Sequence, residues 1–112
     1  MCKSKPVIFM GRSLRVIRGF SADARHEAGH QLDKVQRGLQ PSDWKPLALI
    51  GQGVRELRIR ELDGIYRVIY IAKFQEAVYV LHAFQKKTQR TNSLDLEMAK
   101  CSLALVKKER KK

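Results

Sequence analysis

Between Val54 and Gln85 three strand-like segments follow one another, and they leave few folds open. Val54 to Glu61 puts Leu57 and Ile59 on one face and Glu56, Arg58 and Arg60 on the other. That two-residue period marks a half-buried strand. Asp63-Gly64 reads as the hairpin turn, because both central positions need a positive φ that Asp and Gly tolerate. Ile65 to Lys73 and Glu76 to Gln85, rich in Val, Ile, Tyr and Leu, supply two more strands.

Helices flank this block. Pro6 to Met10 reads as a short strand, and Ser13 to Phe20 as one or two helical turns. Ser21 caps a longer helix, with Asp23 in its first turn and Ala28, Leu32, Val35 and Leu39 as its apolar stripe. Gly38 and Pro41 stop it, and residues 40–53 read as a loop broken by two prolines and two glycines. A last helix, capped by Asn92 or Ser93, carries Leu94, Met98, Cys101 and Leu105 as its stripe, with Cys101 expected buried. The order β-α-α-β-β-β-α predicts an α+β fold, an antiparallel β-sheet with helices packed on one face.

The turn fixes which side chains meet. With Leu62 opposite Ile65, Arg60 faces Arg67, Arg58 faces Ile69, Ile59 meets Val68 and Leu57 meets Tyr70. With Lys73 opposite Glu76, Val68 meets Leu81, Tyr70 meets Tyr79 and Arg67 meets His82. Arg60, Arg67 and His82 then form one row on an exposed sheet face, with Phe84 beside Ile65. Opposed arginines repel, so stability alone does not select this pairing, and a bound phosphate would offset it. A solvated face with arginines lying flat accounts for the same residues.

Charge gives that face a use. The chain carries 23 Lys+Arg against 11 Asp+Glu, a net +12 with pI about 10.2. Such an excess is the footprint of a nucleic-acid binder, ahead of an anionic membrane or an acidic protein. The 112 residues fit one domain spanning 1–112, with 107–112 expected to fray as a basic tail. Cys2 and Cys101 sit in no metal-ligand or disulfide pattern. His26 and His30 share a helix face, but no third ligand accompanies them, so no metal or other cofactor is implied. The N-terminus lacks an apolar signal region, and a cytoplasmic location is expected.

The segment leaving the third strand, His82-Ala83-Phe84-Gln85-Lys86-Lys87-Thr88-Gln89-Arg90, combines an imidazole, an aromatic ring and three cations. RNA suits that mixture, because cations hold phosphates and a ring can stack on an unpaired base. A solvated basic turn is the plainer account of Lys86, Lys87 and Arg90.

The segments V-R-E-L-R-I-R-E, Y-R-V-I-Y-I-A-K-F and Y-V-L-H-A-F-Q-K-K-T-Q resemble the phage-derived HigB-like branch of the RelE/ParE toxin superfamily. The resemblance runs back through D-A-R-H-E-A-G-H-Q-L-D-K-V-Q-R-G-L and D-W-K-P-L, covering about Phe9 to Lys107. The H-A-F-Q-K-K-T block is its most specific part. It implies a compact RelE-like fold and the toxin of a type II toxin-antitoxin system. The implied activity is ribosome-dependent, metal-independent mRNA endoribonuclease cleavage (an mRNA interferase) that inhibits translation. The implied partners are the ribosome, mRNA and a cognate antitoxin, often a helix-turn-helix protein, with no membrane.

Cleavage of this kind needs a base for the 2′-OH, cations for the phosphorane and an acid for the leaving 5′-oxygen. Arg67, His82, Lys86 and Arg60 are the expected catalytic set. Arg58, Phe84, Lys87 and Arg90 are the expected RNA contacts. Two alternatives share the sequence features: a ParE-like toxin that binds gyrase, and a noncatalytic RNA-binding domain of prophage origin.

Overall fold

The computed structural model describes residues 4–86 and 93–111. The elements run β1 (Val7–Phe9), α1 (Ser13–Arg18), α2 (Ala22–Gln36), β2 (Trp44–Pro46), β3 (Val54–Glu61), β4 (Gly64–Ile71), β5 (Val78–Lys86) and α3 (Ser93–Arg110). The α+β class and the order of the main elements follow the sequence reading. One strand is additional: Trp44–Pro46, inside the expected loop, pairs antiparallel with β3. The five-stranded sheet has the order β1-β5-β4-β3-β2, with β1 parallel to β5 and the other pairs antiparallel.

Alternation places Leu57 and Ile59 of β3 and Tyr66, Val68 and Tyr70 of β4 on one face, where α1 and α2 cover them. Ile17, Phe20, Ala24, Ala28, Leu32 and Val35 close that core. The Phe20 and Tyr66 rings meet at 4.6 Å between centroids. Ser21 caps α2 as expected, its Oγ accepting from the Ala24 N–H at 3.3 Å. Leu39 lies beyond the end of α2 and is exposed.

The hairpin register differs from the expected one by two residues. Glu61 pairs with Gly64, so Leu62-Asp63 is the turn, Arg58 faces Arg67 and Arg60 faces Ile65. The turn needs its one positive φ after the central pair, at Gly64 (φ 135°), and no non-glycine residue among those described has a positive φ. A slip of two leaves every side chain on its expected face.

Between β4 and β5 the register is broken by a bulge. Tyr70 pairs with Val80 and Ile69 with His82, which leaves Leu81 without a partner residue. Leu81 and His82 therefore project to the same side of the sheet. Tyr79 and Leu81, expected beside Tyr70 and Val68, instead join Ile69 and Ile71 on the second face.

Helix α3 crosses part of that second face. It buries Ala99, Ser102, Leu103 and Val106, and not the expected stripe. Leu94, Met98 and Leu105 are exposed, and so is Cys101. The small side chains of Ala99 and Ser102 let the helix lie close to the sheet, and Gly51 yields to Leu103: a Cβ there would stand 2.6 Å from Leu103 Cδ2. The helix also continues past Lys107 to Arg110, which bridges Glu76 and lies 3.8 Å over the Phe74 ring. Among the described residues no helix is long and apolar enough to cross a membrane.

Candidate RNA-facing site

The second face of the sheet divides in two. Over one half, Val54, Ile69, Ile71, Tyr79 and Leu81 pack under α3. The other half is polar and draws on β3, β4 and β5. Register sets its rows: Glu56–Ile69–His82, then Arg58–Arg67–Phe84, then Arg60–Ile65–Lys86. The expected row of Arg60, Arg67 and His82 does not form. Arg67 sits between Arg58 and Phe84, while His82 lies one row away.

Arg67 was expected on open surface and is fully buried. Its Nη1 donates to Glu56 Oε1, and both side chains are 0% exposed. Lys45 of β2, opposite Glu56 in register, adds a second cation at 3.9 Å. Arg58, facing Arg67 across the hairpin, pairs with Asp43 at 3.4 Å. Arg60 donates to the other Asp43 oxygen at 3.1 Å and stays half-exposed. The chain's own carboxylates thus offset the repulsion between the facing arginines, and no phosphate is required to hold the pairing. Beside Arg58 and Arg60 lies a cavity of about 230 Å³, lined also by Glu27, Gln31, Ser42 and Asp43.

His82 occupies the border between the halves. Its Nε2 is 2.8 Å from Asp95 Oδ1, in the first turn of α3. The Phe84 ring stacks on the imidazole at 5.5 Å and 24°. Phe84 is itself buried among the residues under α3, so it orients the imidazole and presents no free ring to a base. Lys86 ends β5 opposite Ile65. Lys87 and Arg90 lie outside the described residues.

Asp43, Lys45 and Asp95 belong to this site and were not anticipated as members. Asp43 comes from the segment that reads as a loop, and Asp95 stands in the first turn of α3. Glu56 was placed on the right face, but its burial with Arg67 depends on β2 and β5 closing around it. Among the described residues no group of three or more His, Cys, Asp or Glu could hold a metal ion.

The chain matches the family model described as phage derived protein Gp49-like (DUF891) over residues 15–104. It belongs to the Gp49-like family. The matched span runs from α1 to the middle of α3 and includes every described residue of the polar half-face. The Gp49-like family is a RelE-like toxin family, associated with toxin endoribonuclease activity. A toxin-like function is therefore the coarse assignment for this Gp49-like chain. No curated protein matches it.

Proposed function

We propose that this Gp49-like protein is the toxin of a type II toxin-antitoxin pair and cleaves mRNA on the translating ribosome. The observation that carries the reading is His82, fixed by Asp95 and Phe84 at the edge of a half-face that carries Arg58 and Arg60. An imidazole with one nitrogen held by a carboxylate is oriented for proton transfer. Neighbouring guanidiniums suit bidentate contact with a phosphate.

In the proposed reaction the ribose 2′-oxygen loses its proton and attacks the adjacent phosphorus. The phosphorus–5′-oxygen bond breaks, and the leaving oxygen is protonated. His82 moves one of these protons. Arg60 and Lys86, at the two ends of one row, supply charge to the phosphorane, and Arg58, Lys87 and Arg90 hold flanking phosphates. Arg67 acts through Glu56, keeping the sheet under the site in register.

The test is primer-extension mapping of cellular mRNA after the chain is induced without its neighbouring gene. Breaks inside translated reading frames are expected. Intact mRNA with a DNA-damage response would support the gyrase-binding alternative. RNA binding without breaks, even with ribosomes present, would support the noncatalytic one. A small helix-turn-helix reading frame next to the gene is the expected source of the antitoxin.

A further inference from the structure

The reverse side of the sheet holds a second concentration of charge, away from the polar half-face. Alternation in β3 puts Arg55 on the side of Leu57 and Ile59, which α1 and α2 cover, and Ala72, just past β4, packs against that core. Between them and the turn that follows α2 lies a cavity of about 260 Å³. Lys5, Arg55 and Lys73 line it.

Each cation is set in place by a different contact. Lys5 Nζ donates to the Ala72 carbonyl at 2.7 Å, which holds the ammonium one residue from Lys73. Arg55 lies 4.2 Å over the Trp44 ring, and its Nη1 donates to Gln40 Oε1 at 3.3 Å. Lys73 lays its stem across Gly53, where a Cβ would stand 2.9 Å from Lys73 Cδ. Among the described residues no carboxylate lines the cavity or pairs with any of the three. The half-face differs: there Arg58 and Arg60 share Asp43, and Arg67 holds Glu56. The carbonyl end of α2 borders the cavity, and an uncapped helix end would disfavour an anion. Its last carbonyls are already taken, Val35 O by the Gly38 N–H at 3.0 Å, Lys34 O by the Leu39 N–H at 2.8 Å and Gln36 O by the Lys5 N–H at 3.0 Å. Like charges gathered without a counter-charge repel one another, so an anion seated among them is favoured.

We propose that this cavity binds a phosphate monoester, the terminal phosphate of a nucleotide or of an oligonucleotide.

The donor set selects this anion. A carboxylate offers two coplanar oxygens, which the Arg55 fork alone would satisfy. A monoester presents three terminal oxygens and about two negative charges, enough to meet a guanidinium and two ammoniums together. A backbone diester carries one charge and two free oxygens, and leaves a cation unmatched. Stacking on Trp44 uses the face of the Arg55 guanidinium and leaves its N–H edge for the phosphate. The volume is that of several water molecules, so it admits the phosphate with part of the molecule that carries it. The cavity lies across the sheet from His82, Arg58 and Arg60, and the proposal stands whether or not the protein cuts RNA.

Trp44 is the chain's one tryptophan, so its emission reports an anion arriving at Arg55. The full chain is titrated with adenosine 5′-monophosphate at constant ionic strength, with adenosine, glutarate and dimethyl phosphate as controls. The monophosphate is expected to give a saturable change and adenosine none. Lys73→Glu, an exposed change, is expected to weaken binding about tenfold or more. Lys5→Gln, made separately, carries the same expectation should Lys73→Glu lose the fold, and thermal unfolding checks both. Absence of saturation would overturn the proposal, as would glutarate or dimethyl phosphate binding as tightly as the monophosphate. So would a response lost in Arg60→Ala but kept in Lys73→Glu, which would place the anion on the half-face. A tetranucleotide with a 5′-phosphate is compared with its 5′-hydroxyl counterpart to identify the carrier. A larger gain than the monophosphate shows over adenosine assigns the site to an oligonucleotide end, and an equal or smaller gain assigns it to a free nucleotide. None of these outcomes depends on mRNA cleavage, so failure here and failure of the ribonuclease reading are separable.

Discussion

His82 Nε2 lies 2.8 Å from Asp95 Oδ1, tying the bulged strand β5 to the first turn of α3. The contact joins the two elements that border the polar half-face, and it fixes the imidazole from one side while Phe84 fixes it from the other. Replacing His82 by Gln keeps a polar group of similar reach. If His82 transfers a proton in RNA cleavage, His82→Gln lowers the cleavage rate by about 10²- to 10⁴-fold. Asp95→Asn gives a smaller loss, because the ring keeps a hydrogen-bonding neighbour. Single-turnover cleavage of ribosome-bound mRNA reads both, and circular dichroism checks that the fold is unchanged.

Arg67 and Glu56 make a different prediction. Both are fully buried, so removing either leaves a charge in the interior. Arg67→Ala is expected to cost about 3–5 kcal/mol of stability. Arg67→Met with Glu56→Leu, which removes both charges and keeps volume, is expected to recover most of it. Urea unfolding of the single and double variants measures the difference. Loss of toxicity in Arg67→Ala would accordingly report unfolding, whereas loss in a stable double variant would show a direct role in the chemistry.

The Glu76–Arg110 bridge makes stability depend on pH. Hydrogen bonding from Arg110 is the main cause that lowers the Glu76 pKa from 4.5 to about 2. A carboxyl whose folded pKa is depressed stabilises fully above its unfolded value and loses that contribution as pH falls through the folded one. The bridge therefore contributes above about pH 4.5 and fades toward pH 2. In thermal unfolding scans across this window, Glu76→Gln is expected to unfold at lower temperature than the unaltered chain at pH 5. The two curves are expected to converge near pH 2.

Arg60 is half-exposed and bonded to Asp43 at 3.1 Å. An exposed pair of this kind contributes about 0–1 kcal/mol, so Arg60→Ala should leave stability nearly unchanged. If Arg60 neutralises one phosphate, the variant binds single-stranded RNA more weakly at every sequence. The slope of log affinity against log salt then falls by about 0.7. Fluorescence anisotropy across a salt series gives that slope, and an unaltered slope removes Arg60 from the RNA contact.

What the sequence revealed and what it hid have physical reasons. Alternation in Val54–Glu61 reported the strand and its faces directly, since half-burial imposes a period of two. The hairpin turn was displaced because Gly64 supplies the positive φ after the central pair and not within it. The faces survived because the slip was two residues. The Leu94-Met98-Cys101-Leu105 stripe is not the face that α3 buries, because spacing reports that a face is apolar and not what covers it. Close packing against the sheet favoured the smaller Ala99 and Ser102. The partners of the site, Asp43 and Asp95, lie far along the chain from the arginines and histidine they hold. No local pattern links them.

The bulge at Leu81 makes strand length part of the site's definition. Upstream of it, even-numbered residues of β5 face the core under α1 and α2; downstream, odd-numbered ones do. The two phases coexist because the bulge absorbs one extra residue. If β5 ran regularly with all its residues kept, every side chain after Leu81 would reverse: His82 would turn into that core, and Ala83 and Gln85 would stand where the imidazole and the Phe84 ring now meet. Deleting Leu81 would take the extra residue out with the bulge and leave His82 and Phe84 on their present face, whereas inserting one residue beside it would carry both off.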